Sequence, residues 1–293
     1  MITYKGQTFR IEVCTPAGRE KYLSVFKKHI YKKMEEGLVD GWQLWMNTTN
    51  ASDIAYLLSM EAENPKVKIY RIGEAIDSLE DGVNGFYETF NPLKTHKFFA
   101  NAQDDDTIYI RFDDDIIFAE DGAIEKMVKA RIDNPDAFII YPNIINSTIC
   151  TSWHQDSGVL SEEAGKVKRY DVTRPDWAYL DEFNYTDNRL INHIHNTFRK
   201  NYEAGTLKDY YLPSRSLTNF ERFSICCVVW FGKQKIKLGY IEEPQLSWQL
   251  PEAYGKPNYF CGDALLVHLS YHTQRPLLEA QGDIHLKYYD SIQ

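Results

Sequence analysis

Hydrophobic and polar positions follow two different periods along the first half of the chain. From Thr8 to Val13 every second residue is apolar, the period of a half-buried strand, and the run ends in the turn-like Thr15-Pro16-Ala17-Gly18. From about Arg19 to Glu36, Leu23, Phe26, Ile30 and Met34 recur at helical spacing, with Lys27, Lys28, Lys32 and Lys33 mainly elsewhere. Trp42 to Met46 predicts a second strand, Ile54, Leu57, Leu58 and Ala62 a second helix, and Val67 to Ile72 a third strand. Thr107 to Phe112 predicts a fourth strand, followed by a helix over 122–133 and a strand from Ala137 to Tyr141. The second half is less regular. Residues 150–185 are polar and dotted with aromatics, Leu190, Ile194, Phe198 and Tyr202 predict a helix, and Ile225 to Phe231 fits a buried strand or a buried helix.

Strand–helix–strand repetition implies right-handed crossovers and a mostly parallel, Rossmann-like central sheet flanked by helices. The expected class is therefore α/β, built as one compact unit. Ligands of such sheets bind beyond the carboxyl ends of the strands. That rule separates two acidic triplets. Asp104-Asp105-Asp106 precedes the strand Thr107–Phe112, whereas Asp113-Asp114-Asp115 follows it and falls at the ligand edge.

Composition narrows the picture. The chain has 293 residues, 43% of them hydrophobic, enough for a sizeable core. A net charge of −9 argues against a nucleic-acid partner, although the lysines of the first helix leave peripheral contact with an anionic membrane surface open. The five cysteines include no C-x-x-C pair, so buried free thiols are expected. Neither a signal peptide nor a membrane-spanning run is legible, which gives a cytoplasmic expectation.

Two carboxylates one residue apart, just past a buried strand, can converge on one hard cation. Oxygen ligands suit Mg²⁺ or Mn²⁺, which bridge substrate phosphates and act as Lewis acids on a departing diphosphate. Apolar Ile108, Ile110 and Phe112 lead into the triplet, and Ile116, Ile117 and Phe118 follow it. Carboxylates enclosed in this way are costly without a partner. Asp113 and Asp115 are thus the expected metal ligands, with Arg111 neutralising part of the triplet. Thr15, Pro16, Ala17, Gly18 and Arg19, at a strand-to-helix junction, are expected to face nucleotide phosphates or the uracil edge. Asn47, ending the second strand, is expected near the base or ribose, and Asp114 within the cofactor site. His268 and His272 would sit ~13 Å apart in a strand, so only His268 is taken as a third metal or diphosphate ligand.

The chain resembles the GT-A glycosyltransferases and, more narrowly, a group of bacterial and fungal GT-A-like proteins. Residues that carry the resemblance are Pro16-Ala17-Gly18-Arg19, Leu44-Trp45-Met46-Asn47-Thr48, Asp113 to Ile116, Asn143 to Asn146, and Arg222-Phe223-Ser224-Ile225. An acidic pair, Glu242-Glu243, and the run from Gly262 to Arg275 complete it. The resemblance covers about residues 8–290. It implies a nucleotide-sugar donor half at about residues 1–146 and an acceptor half at about 147–293. It also implies a divalent cation (Mn²⁺ or Mg²⁺) at the triplet and transfer of a sugar, UDP-linked by expectation, to a saccharide or lipid-linked saccharide. Glu replaces the first Asp of the family's acidic pair, and His272 replaces an aromatic residue, so no function is carried onto His272.

A carboxylate at Glu243, with Glu242 or Asp263 as its competitor, is expected to be the general base of an inverting transfer. Trp153, Trp177, Tyr179 and Trp248 are candidate sugar-stacking residues, though most aromatics pack cores. Two other readings compete. A metal-dependent nucleotidyltransferase would call for a Gly-rich basic phosphate loop, which Thr15 to Arg19 represents poorly. A non-catalytic carbohydrate- or Ca²⁺-binding protein would show no transfer. Sequence alone leaves the oligomeric state undefined.

Overall fold

In the computed structural model, residues 1–71, 99, 101–167, 188–219, 221, 223–237 and 242–292 are described. The strands among them are β1 (Ile2–Tyr4), β2 (Gln7–Ala17), β3 (Gly41–Met46), β4 (Val67–Tyr70), β5 (Thr107–Phe112), β6 (Ile116–Ala119), β7 (Ile140–Ile145), β8 (Arg215–Leu217), β9 (Cys227–Phe231) and β10 (Asn258–His268). They form one sheet ordered β4-β3-β2-β5-β9-β7-β10-β6, with β1 on β2 and β8 on β10. Strands β4, β3, β2 and β5 are parallel, β9 is antiparallel to β5 and β7, β7 and β10 are parallel, and β6 is antiparallel to β10. The result is the expected α/β class, with a mostly parallel central sheet flanked by helices and drawing strands from both halves of the chain.

The pattern of burial explains the order. Every residue of β5 and of β9 is buried, as strands covered on both faces require. Helix α1 (Glu20–Glu35) lays Leu23, Phe26, Ile30 and Met34 on the sheet. Lys33 departs from the expectation for its helix. It is buried and ringed by Glu36 at 2.8 Å and Asp121 and Glu125 at 3.0 Å. Helix α2 (Ala51–Glu63) starts at Asn50, whose side chain accepts from Ser52 and Asp53 backbone N–H groups. Asp53 then accepts from Glu20 N–H at 3.0 Å, fixing the start of α1 against the start of α2.

Several boundaries differ from the sequence reading. Strand β2 runs on through Thr15 and Pro16 to Ala17, because Thr15, Pro16 and Ala17 pair with Leu44, Trp45 and Met46 of β3. The strand β6 immediately after the triplet was not predicted. Its four buried residues are too few to display a period. Strand β7 lies a few residues later than predicted and contains Pro142, tolerated where β10 bulges between Cys261 and Leu265. The polar stretch from 150 begins as a helix, Thr148–Asp156, whose Trp153 packs on Phe223 and Phe260 in the core. Ile72, Trp177, Tyr179 and Arg222 lie outside the described residues, as does the side chain of Glu242. All five cysteines are buried and free. No helix among the described residues is long and apolar enough to cross a membrane.

Buried histidines give the fold an acid limit. Burial pushes His154 down to about 3 and His285 to about 4, and lowers His195 well below the ordinary value of 6.5. Each is neutral when folded but protonated when unfolded below about pH 6.5. Their stabilisation is complete above that pH and is lost as pH falls towards the folded values. For one such group the loss approaches about 1.4 kcal/mol per pH unit within that window. His154 Nε2 lies 2.8 Å from Asn143 Oδ1, a contact glutamine can replace. The melting temperature of wild type should therefore fall steeply from pH 6.5 to pH 4, and less steeply in His154→Gln. Parallel slopes in a pH series of thermal melts would contradict this assignment.

Candidate functional site

Asp113, Asp114 and Asp115 occupy the turn between β5 and β6, at the carboxyl end of β5. Asp113 N–H donates to Cys226 C=O at 2.8 Å, and Ile116 N–H returns to Asp113 C=O at 3.1 Å, closing the turn. The alternative triplet sits at the opposite end of β5. There Asp104 accepts from the Tyr109 hydroxyl, Asp105 pairs with Lys235, and Asp106 C=O accepts from Arg10 N–H. The two triplets thus lie at the ends of β5 that the sequence reading assigned to them.

The three carboxylates do not share one role. Asp113 is the most exposed and is held by Arg111, whose Nε and Nη2 both lie 2.8 Å from Oδ1. Asp114 is 3% exposed and turns to the β2–α1 junction. Its Oδ2 accepts from Gly18 N–H at 2.9 Å, and its Oδ1 takes both Nε (2.8 Å) and Nη2 of Arg19. Asp115 is 2% exposed. Its Oδ2 meets Arg19 Nη1 at 3.0 Å and Arg275 Nη2 at 2.8 Å, leaving Oδ1 3.5 Å from His268 Nε2. Burial pushes the Asp114 carboxyl up against the pull of Arg19. Burial would also raise Asp115, but Arg19, His268 and Arg275 together hold it well below the usual carboxylate range.

These contacts revise the expected phosphate site. Thr15 and Pro16 belong to β2 rather than to an open turn, and the Thr15 hydroxyl accepts from the Trp42 indole at 2.9 Å. The Gly18 and Glu20 N–H groups at the start of α1 are already taken by Asp114 and Asp53. Glycine is required at 18 because a Cβ there would come within 2.6 Å of Asn47 C=O. Asn47 therefore lies beside Gly18, and its N–H donates to Ala17 C=O at 2.7 Å. Asp114 is a structural anchor for Arg19, not a group open to a ligand.

Beyond the triplet, the motif residues near the C-terminus converge on Asp115. Leu269 N–H donates to Asp115 C=O at 2.9 Å. His268 Nδ1 faces Asn146 C=O at 3.3 Å, and Asn146 adopts the left-handed conformation with φ of 62°. The Asn146 amide donates to Leu269 C=O and to Gln274 Oε1, and Gln274 Oε1 also accepts from Tyr271 N–H at 2.9 Å. The Tyr271 ring packs edge-on against His268, with centroids 4.8 Å apart. Asn146, Gln274 and Arg275 stood in the quoted motifs without an assigned role. Nothing local in the sequence says that they meet, since Asn146 and Gln274 are 128 residues apart.

Asp263 is not brought to this cluster. It sits on the bulge of β10, 3.9 Å from Lys126 Nζ on helix Ala123–Asp133. Glu243 is half-buried on the helical turn Glu242–Pro244. Among the described residues no group of three or more His, Cys, Asp or Glu could hold a metal. The expected trio is not gathered, because Asp113 turns to Arg111; Asp115 and His268 are the two members that meet.

Removing Arg19 would strand Asp114 in the interior, and breaking one side of a buried ion pair costs about 3–5 kcal/mol. Arg19→Met should therefore lower the melting temperature by several degrees. The double variant Arg19→Met/Asp114→Asn, which keeps an acceptor for Gly18 N–H, should recover much of that loss. Purely additive losses in this double-mutant cycle would show that the bridge does not hold the junction together.

No family model matches the chain, and no curated protein matches it. Among solved structures it is similar to the 4-diphosphocytidyl-2C-methyl-D-erythritol synthase from Anaerococcus prevotii. The two are 12% identical, with 94% of this chain and 98% of that chain covered, at a TM-score of 0.42.

Proposed function

We propose that the protein is a glycosyltransferase that takes a sugar from a nucleoside-diphosphate donor, UDP-linked by expectation, at the edge formed by Asp115, His268, Arg19 and Arg275. One observation carries the reading: Asp115 Oδ1 and His268 Nε2 face each other at 3.5 Å at the ligand edge of the sheet. Two donors on adjacent positions of an octahedral Mg²⁺ or Mn²⁺ are about 3.0 Å apart at bond lengths near 2.1 Å. At 3.5 Å the contact is long for a direct hydrogen bond and near the span of a shared cation. His268 is also oriented as metal-binding histidines are, with Nδ1 towards a backbone carbonyl and Nε2 towards the site. Arg19 and Arg275 fix the other Asp115 oxygen and so aim Oδ1. Such cations use one or two protein ligands and complete their shell with water and substrate phosphates, so a two-residue set is sufficient.

A cation held there would supply Lewis-acid stabilisation to the departing diphosphate. The chain's own groups do the remaining work. Arg19 and Arg275 add positive charge where the diphosphate leaves. Glu243 takes the acceptor hydroxyl proton as the acceptor oxygen bonds to the anomeric carbon. The bond from that carbon to the phosphate oxygen breaks, and its electron pair leaves with the nucleoside diphosphate. The ion pair of Asp263 with Lys126 favours Glu243 as the base. The Gly18 and Glu20 N–H groups are occupied by Asp114 and Asp53, so the phosphates are assigned to the cation and the arginines.

Mn²⁺-dependent stabilisation by UDP in a thermal-shift series is expected for wild type, because ligands that bind only the folded state raise its melting temperature. Asp115→Asn and His268→Ala should lose that dependence, whereas Asp104→Asn/Asp105→Asn should keep it. Undiminished Mn²⁺ dependence in both site variants would remove the assignment. Glu243→Gln should lower kcat by roughly 10²–10⁴-fold while UDP affinity stays near wild type. Equal losses in Asp263→Asn and not in Glu243→Gln would move the base to Asp263.

A further inference from the structure

Arg19 and Arg275 share one oxygen of Asp115, yet they are anchored very differently. Arg19 grips Asp114 through Nε and Nη2, and Gly18 N–H holds the other oxygen of the same carboxylate. Its guanidinium also lies over the Tyr22 ring, 5.4 Å from the centroid. Arg275 reaches Asp115 through Nη2 at 2.8 Å, and its Nε is buried without a hydrogen-bond partner among the described residues. A buried charged donor left unpaired is unfavourable. Once Nη2 leaves Asp115, the Nε–H and Nη2–H edge of the guanidinium is shaped to receive a phosphate in bidentate fashion.

We propose that Arg275 is the diphosphate-binding residue of the site and that it is exchangeable. Without ligand, Arg275 neutralises Asp115. With cation and nucleotide together, its guanidinium turns from Asp115 to the phosphates. This inference rests on the nucleotide-sugar reading above and adds a coupling to it. Positive charge arriving at Asp115 Oδ1 is repelled by Arg275 while that side chain stays on Oδ2. A diphosphate relieves the repulsion by drawing Arg275 away. Cation and nucleotide therefore bind weakly alone and strongly together, and by linkage each strengthens the other by the same factor. Arg19 does not exchange, since leaving Asp114 would strand a buried carboxylate.

Isothermal titrations of Mn²⁺ alone, and of UDP with and without saturating Mn²⁺, test this on wild type, Arg275→Gln and Arg275→Lys. Wild type should bind Mn²⁺ alone weakly and gain roughly tenfold or more in UDP affinity when Mn²⁺ is present, within the usual range of coupling between sites. Arg275→Gln removes the competing charge, so it should bind Mn²⁺ alone about tenfold more tightly while binding UDP with Mn²⁺ at least tenfold more weakly. Arg275→Lys keeps the charge but not the fork, so its Mn²⁺ affinity should match wild type while its UDP affinity falls. A purely structural role for Arg275 would weaken both ligands together. Unchanged or weakened Mn²⁺ binding in Arg275→Gln, or unchanged UDP binding, overturns the exchange while leaving the site reading intact. If wild type takes up no Mn²⁺ even with UDP, the site reading itself fails and the exchange with it.

Discussion

The Arg19 guanidinium bridging Asp114 and Asp115 is the interaction on which the rest of the site depends. Three consecutive carboxylates at the end of a fully buried strand repel one another, and two of them are almost completely removed from water. The fold balances them with three arginines from three separate parts of the chain: Arg111 on β5, Arg19 at the start of α1 and Arg275 near the C-terminus. Because each pair is hydrogen-bonded as well as charged, the arrangement fixes direction as well as charge. Arg19 ties the β2–α1 junction to the β5–β6 turn, and Arg275 ties the last β10 connection to the same turn. One carboxylate oxygen, Oδ1 of Asp115, is left pointing at His268.

This economy of partners explains why Gly18 and Asn146 are the residues they are. Gly18 must let its N–H reach Asp114 while the backbone of Asn47 passes within contact distance. Asn146 must take a left-handed turn so that its carbonyl meets His268 and its amide holds Leu269 and Gln274. Neither residue touches a ligand in this account. Both set the direction of a residue assigned to the site under the proposed function, and so act on it through geometry.

Much of this was legible from the order of the residues. The strand and helix periods over the first half give the α/β class, and the two acidic triplets lie at opposite ends of β5 as the reading expected. Arg111 beside Asp113 could be read because two residues along a strand lie on one face. The division of labour within the triplet could not be read. Asp114 and Asp115 look alike in sequence, and only the crossing of Gly18 and Arg19 decides which becomes an anchor. The phosphate-facing role expected of Thr15 and Pro16 failed because pairing with β3 extends β2 past the apparent turn. Asp263 was the competitor to Glu243, but it lies on the bulge of β10 near Lys126. β6 escaped because four buried residues carry no period. Arg275 and Gln274 were visible as a motif, yet their meeting with Asp115 and Asn146 is a product of topology, with more than a hundred residues between the partners.

Under the proposed function, Asp115 and His268 are the working pair of the site, with the arginines arranged around them. Anomalous diffraction at the manganese edge, from crystals grown with Mn²⁺ and UDP, tests that claim most directly. One strong anomalous peak is expected within bonding distance of both Asp115 Oδ1 and His268 Nε2, in contact with the diphosphate. A peak at Asp104–Asp106, or a bound diphosphate with no metal beside Asp115, would contradict it.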